Sequence, residues 1–174
     1  MSDLVNKICT KIKEEKKDNN TFIIGIDGPT AAGKTTLADN IKKKLKGSEI
    51  FIFKLDWTLK DRKFRENSLK NYKKTNTFFY YEAEEHMNLH IASNFLKKVK
   101  SLSSKKKINL TLNNLYDREG STKNDLTIKT TIKRNTIIII EGHYTGYKEI
   151  YKYIAVSYTH LRAHETVLDL VCRL

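Results

Sequence analysis

Thr21-Phe22-Ile23-Ile24-Gly25-Ile26-Asp27-Gly28-Pro29-Thr30-Ala31-Ala32-Gly33-Lys34-Thr35-Thr36 runs from an apolar stretch into two glycines separated by four residues, followed directly by Lys-Thr. Each residue type there answers a physical demand. Glycines let the backbone wrap a polyphosphate closely, and a helix beginning at the lysine turns its unpaired N–H groups onto the anion. Lys34 adds a point charge near the terminal phosphates, and the Thr35 hydroxyl suits Mg²⁺. The context agrees, because Phe22, Ile23, Ile24 and Ile26 read as a strand while Leu37, Ile41 and Leu45 recur at helical spacing. The expected nucleotide cradle is therefore Gly28, Pro29, Thr30, Ala31, Ala32, Gly33, Lys34, Thr35 and Thr36.

The 174 residues, 39% of them hydrophobic, suit one domain able to bury a core. No apolar stretch approaches the roughly 20 residues of a membrane span. The first residues, with Asp3, Glu14 and Glu15 among lysines, lack a signal peptide's apolar block. Cys9 and Cys172 lie far apart and have no metal-site spacing. A cytoplasmic protein without membrane contact is expected. The net charge of +13 is nearly all lysine, as AT-rich coding would produce. The lysines fall in short runs (42–44, 97–98, 105–107) that read as solvated helix ends and loops, so nucleic acid is not the expected partner.

Outside the loop, Leu4 or Val5, Ile8 and Ile12 mark an amphipathic helix. A second strand spans 49–55 and ends on Asp56-Trp57. Residues 58–81 are charged and aromatic without clear period, as a substrate-facing segment would be. Met87, Ile91, Phe95, Val99 and Leu102 predict a helix over 82–102. Short strands are expected at 108–112 and 126–132, the latter half-buried or at an edge. The run 136–140, ending in Glu141-Gly142, reads as a buried parallel strand. Alternation of strand and helix predicts an α/β fold on a mostly parallel sheet, and the phosphate loop after its first strand makes the expected class the three-layer α/β/α sandwich of P-loop NTPases. In such sheets ligands sit at the carboxyl ends of strands, where the loop, Asp56 and Glu141 all fall.

Val156 to Leu174 contain no lysine, isoleucine or asparagine, although those types are abundant before them. Ser157-Tyr158-Thr159-His160-Leu161-Arg162-Ala163-His164-Glu165-Thr166 resembles a conceptually translated transposase-type sequencing adapter. The expectation is a phosphate-loop domain over 1–155, C-terminally truncated, with a non-native read-through tail over 156–174.

Phosphoryl transfer needs the donor's charge neutralised and the acceptor hydroxyl held in line. Lys34 serves the first need. Glu141, at the end of an apolar strand, is placed to hold Mg²⁺ waters opposite Thr35. Asp56 is suited to accept the proton of a substrate hydroxyl. Three segments together resemble the uridine kinase and phosphoribulokinase-like P-loop kinases: the loop 28–36, Leu55-Asp56-Trp57 and Ile139-Ile140-Glu141-Gly142-His143-Tyr144. Tyr116-Asp117-Arg118 looks like that family's substrate-side segment. The resemblance implies ATP and Mg²⁺ as cofactors, a small-molecule hydroxyl acceptor of nucleoside type, Asp56 as base, and Tyr116 and Asp117 near the acceptor. It also implies that an arginine-bearing lid would follow the next strand, expected from about Tyr153, and that without it turnover is poor. The alternatives are an NTPase or a kinase of nucleic-acid ends. Glu82, His86 and His90, four apart on the expected helix, are a weaker zinc candidate than a solvated or pocket-lining face. Trp57 and Phe78 to Tyr81 read equally as base-stacking or core aromatics.

Overall fold

The computed structural model describes residues 2–16, 20–75, 84–104, 106–159 and 171–172. Its centre is a sheet built on the quoted stretch. β1 (Phe22–Asp27) lies between β5 (Ile137–Glu141) and β6 (Val156–Thr159), with β2 (Ile50–Lys54) beyond β5 and β7 (Val171–Cys172) at the far edge. The strands run parallel except β7, which pairs antiparallel with β6. The expected α/β sandwich is present.

Alternation along the strands divides the core into two layers. Ile24, Ile26, Ile137 and Ile139 face α1 (Ser2–Glu15) and α2 (Lys34–Lys44), packing with Ile8, Ile12, Leu37 and Ile41. Ile23, Phe53, Ile138 and Ile140 face the other way, onto α4 (His90–Lys100) and a hairpin of β3 (Lys107–Leu115) and β4 (Leu126–Lys133). Phe53 stacks on Phe95 at 4.9 Å between ring centroids, which ties β2 to α4. Both faces of β5 are therefore dry, as its uninterrupted isoleucines require.

The registers bring three strand ends to one edge. Ile26 lies opposite Glu141, and so does Lys54 on the other side. The loop after Asp27, Asp56 after Lys54, and Glu141 itself consequently share the carboxyl edge of the sheet.

Four features differ from the sequence reading. First, the aperiodic segment after Asp56 contains α3 (Arg62–Thr75). Its start is capped by Asp61, whose carboxylate accepts the Phe64 N–H at 2.8 Å, and Arg62 and Glu66 pair across one turn. Second, α4 begins at His90 rather than 82, because Glu84–His86 form a 3₁₀ turn and Met87 bridges antiparallel to Leu59. Buried His86 and exposed His90 do not share a helix face, Glu82 and Phe78 to Tyr81 lie outside the described residues, and no metal-binding group of three acids, histidines or cysteines occurs among the described residues. Third, the strands near 108–112 and 126–132 pair with each other, outside the main sheet. Fourth, Val156–Thr159, just past the composition break, form β6 on β1, with Val156 and Tyr158 buried.

Lys42 to Lys44, Lys97, Lys98, Lys106 and Lys107 are exposed. No helix among the described residues is long and apolar enough to cross a membrane.

Candidate active site

The loop between β1 and α2 takes its shape from a few unusual backbone angles. Gly33 sits at φ 89°, in the left-handed region where a side chain would be strained, and starts α2 at Lys34. Ala31, at φ 62°, holds a similar conformation with a Cβ, which stores strain in the cradle. The Lys34 ammonium folds back and donates to the Pro29 carbonyl at 2.8 Å, so the cation is held inside the loop's curve.

Thr35 Oγ1 donates to Glu141 Oε1 at 3.0 Å, joining the first turn of α2 to the end of β5. Glu141 is only 5% exposed. Burial pushes its carboxyl above the usual carboxylate range; the Thr35 bond opposes this, and the negative charge of Asp56 adds to it. A hydroxyl and a carboxylate oxygen side by side form a hard donor set of the kind Mg²⁺ takes, with room beside them for its waters. Gly142 follows at φ 147°, and a Cβ there would lie 2.6 Å from Leu55 Cβ, so only glycine lets the ends of β5 and β2 meet.

Asp56 is the second residue of a 3₁₀ turn, Leu55–Thr58, locked by the Thr58 hydroxyl donating to the Leu55 carbonyl at 2.7 Å. Its carboxylate pairs with the Arg118 guanidinium. Tyr116 is buried, its N–H donating to the Trp57 carbonyl at 2.8 Å and its ring 4.8 Å from the Arg65 guanidinium carbon. Asp117 spends its carboxylate on the backbone, accepting from Gly120 N–H at 2.9 Å and Ser121 N–H at 3.2 Å, and so shapes the loop that carries Arg118. Trp57 packs edge-on to Phe53 while still bordering the site.

Two adjoining cavities result. One, about 300 Å³, is lined by Thr30, Ala31 and Gly33 to Thr36 of the cradle, with His143. The other, about 420 Å³, is lined by Lys54, Trp57, Tyr116, Asp117, Glu119 and Leu126. Thr35, Asp56, Arg118 and Glu141 border both. Of the site residues expected beyond the loop, Asp56 and Glu141 thus lie on both walls and Tyr116 and Asp117 on the second only, while His86 and His90 line neither.

Sequence reasoning missed the fastening between the cradle and the segment after β5. Asp27 accepts from Gly28 N–H at 2.7 Å, from the buried Thr145 hydroxyl at 2.8 Å and from Gly146 N–H at 3.2 Å. Thr30 Oγ1 and His143 Nε2 lie 3.2 Å apart. Apart from the Gly28 bond, these contacts join residues more than a hundred positions apart, and no local pattern announces them.

The chain matches the Phosphoribulokinase / Uridine kinase family over residues 23–159. It is 30% identical over 125 residues to the uridine kinase of Staphylococcus aureus (strain JH9), a match covering 70% of this chain and 52% of that protein, so the chain spans about half the length of the curated relatives it matches. In three dimensions it resembles the "Possible Uridine Kinase" from Bacillus stearothermophilus, with a TM-score of 0.61, 21% identity and coverage of 91% of this chain and 79% of that one. It also resembles the phosphoribulokinase of Rhodobacter spheroides, with a TM-score of 0.57, 11% identity and coverage of 82% and 51%. The strand, loop and helix of residues 22–44, the acid-ended strand beside them and a match spanning most of the chain make it a member of the phosphoribulokinase and uridine kinase family.

Proposed function

We propose that this protein transfers the γ-phosphoryl group of MgATP to a hydroxyl of a small molecule, and that the acceptor is a nucleoside. The carrying observation is the meeting of a phosphate cradle, the Thr35–Glu141 oxygen pair and the Asp56 carboxylate where the two cavities adjoin. In this reading the triphosphate lies along residues 28–36, with loop N–H groups and Lys34 on its oxygens. Thr35 and Glu141 hold Mg²⁺, which neutralises charge on the terminal phosphates when bound. Asp56 accepts the acceptor hydroxyl's proton, and Tyr116 and Asp117 border the acceptor. The uridine kinase relatives and the aromatic Trp57 and Tyr116 on the acceptor wall support a nucleoside.

The test is ADP release from MgATP across a panel of nucleosides and pentoses, with the phosphorylated product identified. Release that rises only with a nucleoside is the expected result. Equal release without any acceptor would replace the kinase with an NTPase. Asp56→Asn is expected to lower acceptor-dependent kcat by about 10²–10⁴-fold; full activity in that variant removes Asp56 from the reaction.

A further inference from the structure

Four residues border both cavities, and three of them already have a task in the proposed function: Thr35 and Glu141 toward the metal, and Asp56 toward the acceptor proton. The fourth is Arg118. A phosphoryl group passing from nucleotide to acceptor crosses the boundary between the two spaces, so a side chain on both walls is one that can stay against it throughout. Lys34 lines only the phosphate cavity and Lys54 only the acceptor cavity. Among the described residues Arg118 is therefore the cation common to both walls. Its side chain is 61% exposed, so the guanidinium can rotate without emptying packed core. The loop beneath it is held rigid by the Asp117 carboxylate bonds to Gly120 and Ser121.

We propose that Arg118 is a catalytic residue that turns from Asp56 onto the γ-phosphoryl group once MgATP is bound. The assignment rests on the kinase reading above. A bond forms between the acceptor oxygen and the γ-phosphorus, and the bond from that phosphorus to the β,γ-bridging oxygen breaks, leaving its electron pair on ADP. The acceptor's proton goes to Asp56. The planar guanidinium meets two equatorial oxygens of the transferring group at once. Its departure from Asp56 also frees the carboxylate to take the proton, so one rotation arms the base and neutralises the phosphoryl group.

The experiment is calorimetric titration of wild-type chain, Arg118→Ala and Arg118→Lys with MgADP and with Mg-bound AMP-PNP, which carries the γ-phosphoryl group. Circular dichroism confirms folding of each variant. The expected result is a wild-type preference for AMP-PNP that falls about tenfold in Arg118→Ala and is partly restored in Arg118→Lys, with MgADP affinity held within about twofold. A preference unchanged in Arg118→Ala, an equal loss for both nucleotides, or no wild-type preference overturns the role of Arg118 while leaving the kinase reading standing. A wild-type chain that binds neither nucleotide overturns both.

Discussion

Glu141 carries a cost that pH can reveal. Its carboxyl is raised from the ordinary value of 4.5, chiefly by burial, so the folded chain holds that proton more tightly than the unfolded chain does. The stability this group contributes is complete below about 4.5 and is lost as pH rises through the higher folded value. Glu141→Gln, which keeps an acceptor for Thr35 and removes the charge, is therefore expected to melt higher than wild type at pH 7. The gap should close as both proteins are melted at pH values approaching 4.5, and a gap independent of pH would contradict the assignment. Lys34 makes the complementary case. With its ammonium inside the loop and bonded to Pro29, truncation to alanine is expected to weaken MgATP binding roughly 10–100-fold by titration. Lys34 was readable because a phosphate loop dictates residue types in a short run. The pairings of Arg118, Asp27 and His143 were not, because their partners Asp56, Thr145 and Thr30 are set by strand order and long-range packing.

At the scale of elements, the site depends on how closely two strand ends approach. Gly142 lies against Leu55, the residue before Asp56, and any Cβ would have to push β5 and β2 apart. Gly142→Ala is expected to cost about 2–4 kcal/mol in urea unfolding, from overpacking plus a backbone angle that alanine resists. The same reasoning explains which elements could be read in advance. β1 and β5 announced themselves as continuous apolar runs because both of their faces are buried. α3 did not, since among its described side chains, 62–71, Arg65 is the buried one and Phe64 is 45% exposed, leaving no apolar stripe there. Its available signals were the Asp61 cap and the Arg62–Glu66 pair, both weaker than periodicity. The hairpin strands were expected, the second of them by alternation, but period alone does not say which sheet a strand joins.

At the scale of the whole molecule, β6 draws the residues past the composition break into the core. Val156, 1% exposed and packed with Ile24, tests that placement. Val156→Asp is expected to destabilise the chain by about 3 kcal/mol or more in a thermal melt, because an unpaired carboxylate would be buried. An unchanged melting temperature would mean that β6 contributes nothing to the folded state. Ligand binding should act on the same global equilibrium. MgATP at a hundred times its Kd is expected to add about 2.7 kcal/mol, a rise of roughly 5–10 °C for a chain of this size, by scanning fluorimetry.

The wall opposite the phosphate loop, packed on the sheet through its apolar side chains, is tied together by its own hydrogen bonds. Tyr116 N–H bonds the Trp57 carbonyl, Asn124 Nδ2 bonds the Leu59 carbonyl and Arg62 N–H bonds the Thr122 carbonyl, so the hairpin tip and the segment after β2 form one piece. The cradle is fastened separately, through Asp27, Thr145 and His143, to the end of β5. Residues 117–123 make none of the hydrogen bonds that join the cradle to the segment after β5. The two halves of the cleft thus hold their shapes through separate sets of hydrogen bonds and meet at Thr35, Asp56, Arg118 and Glu141.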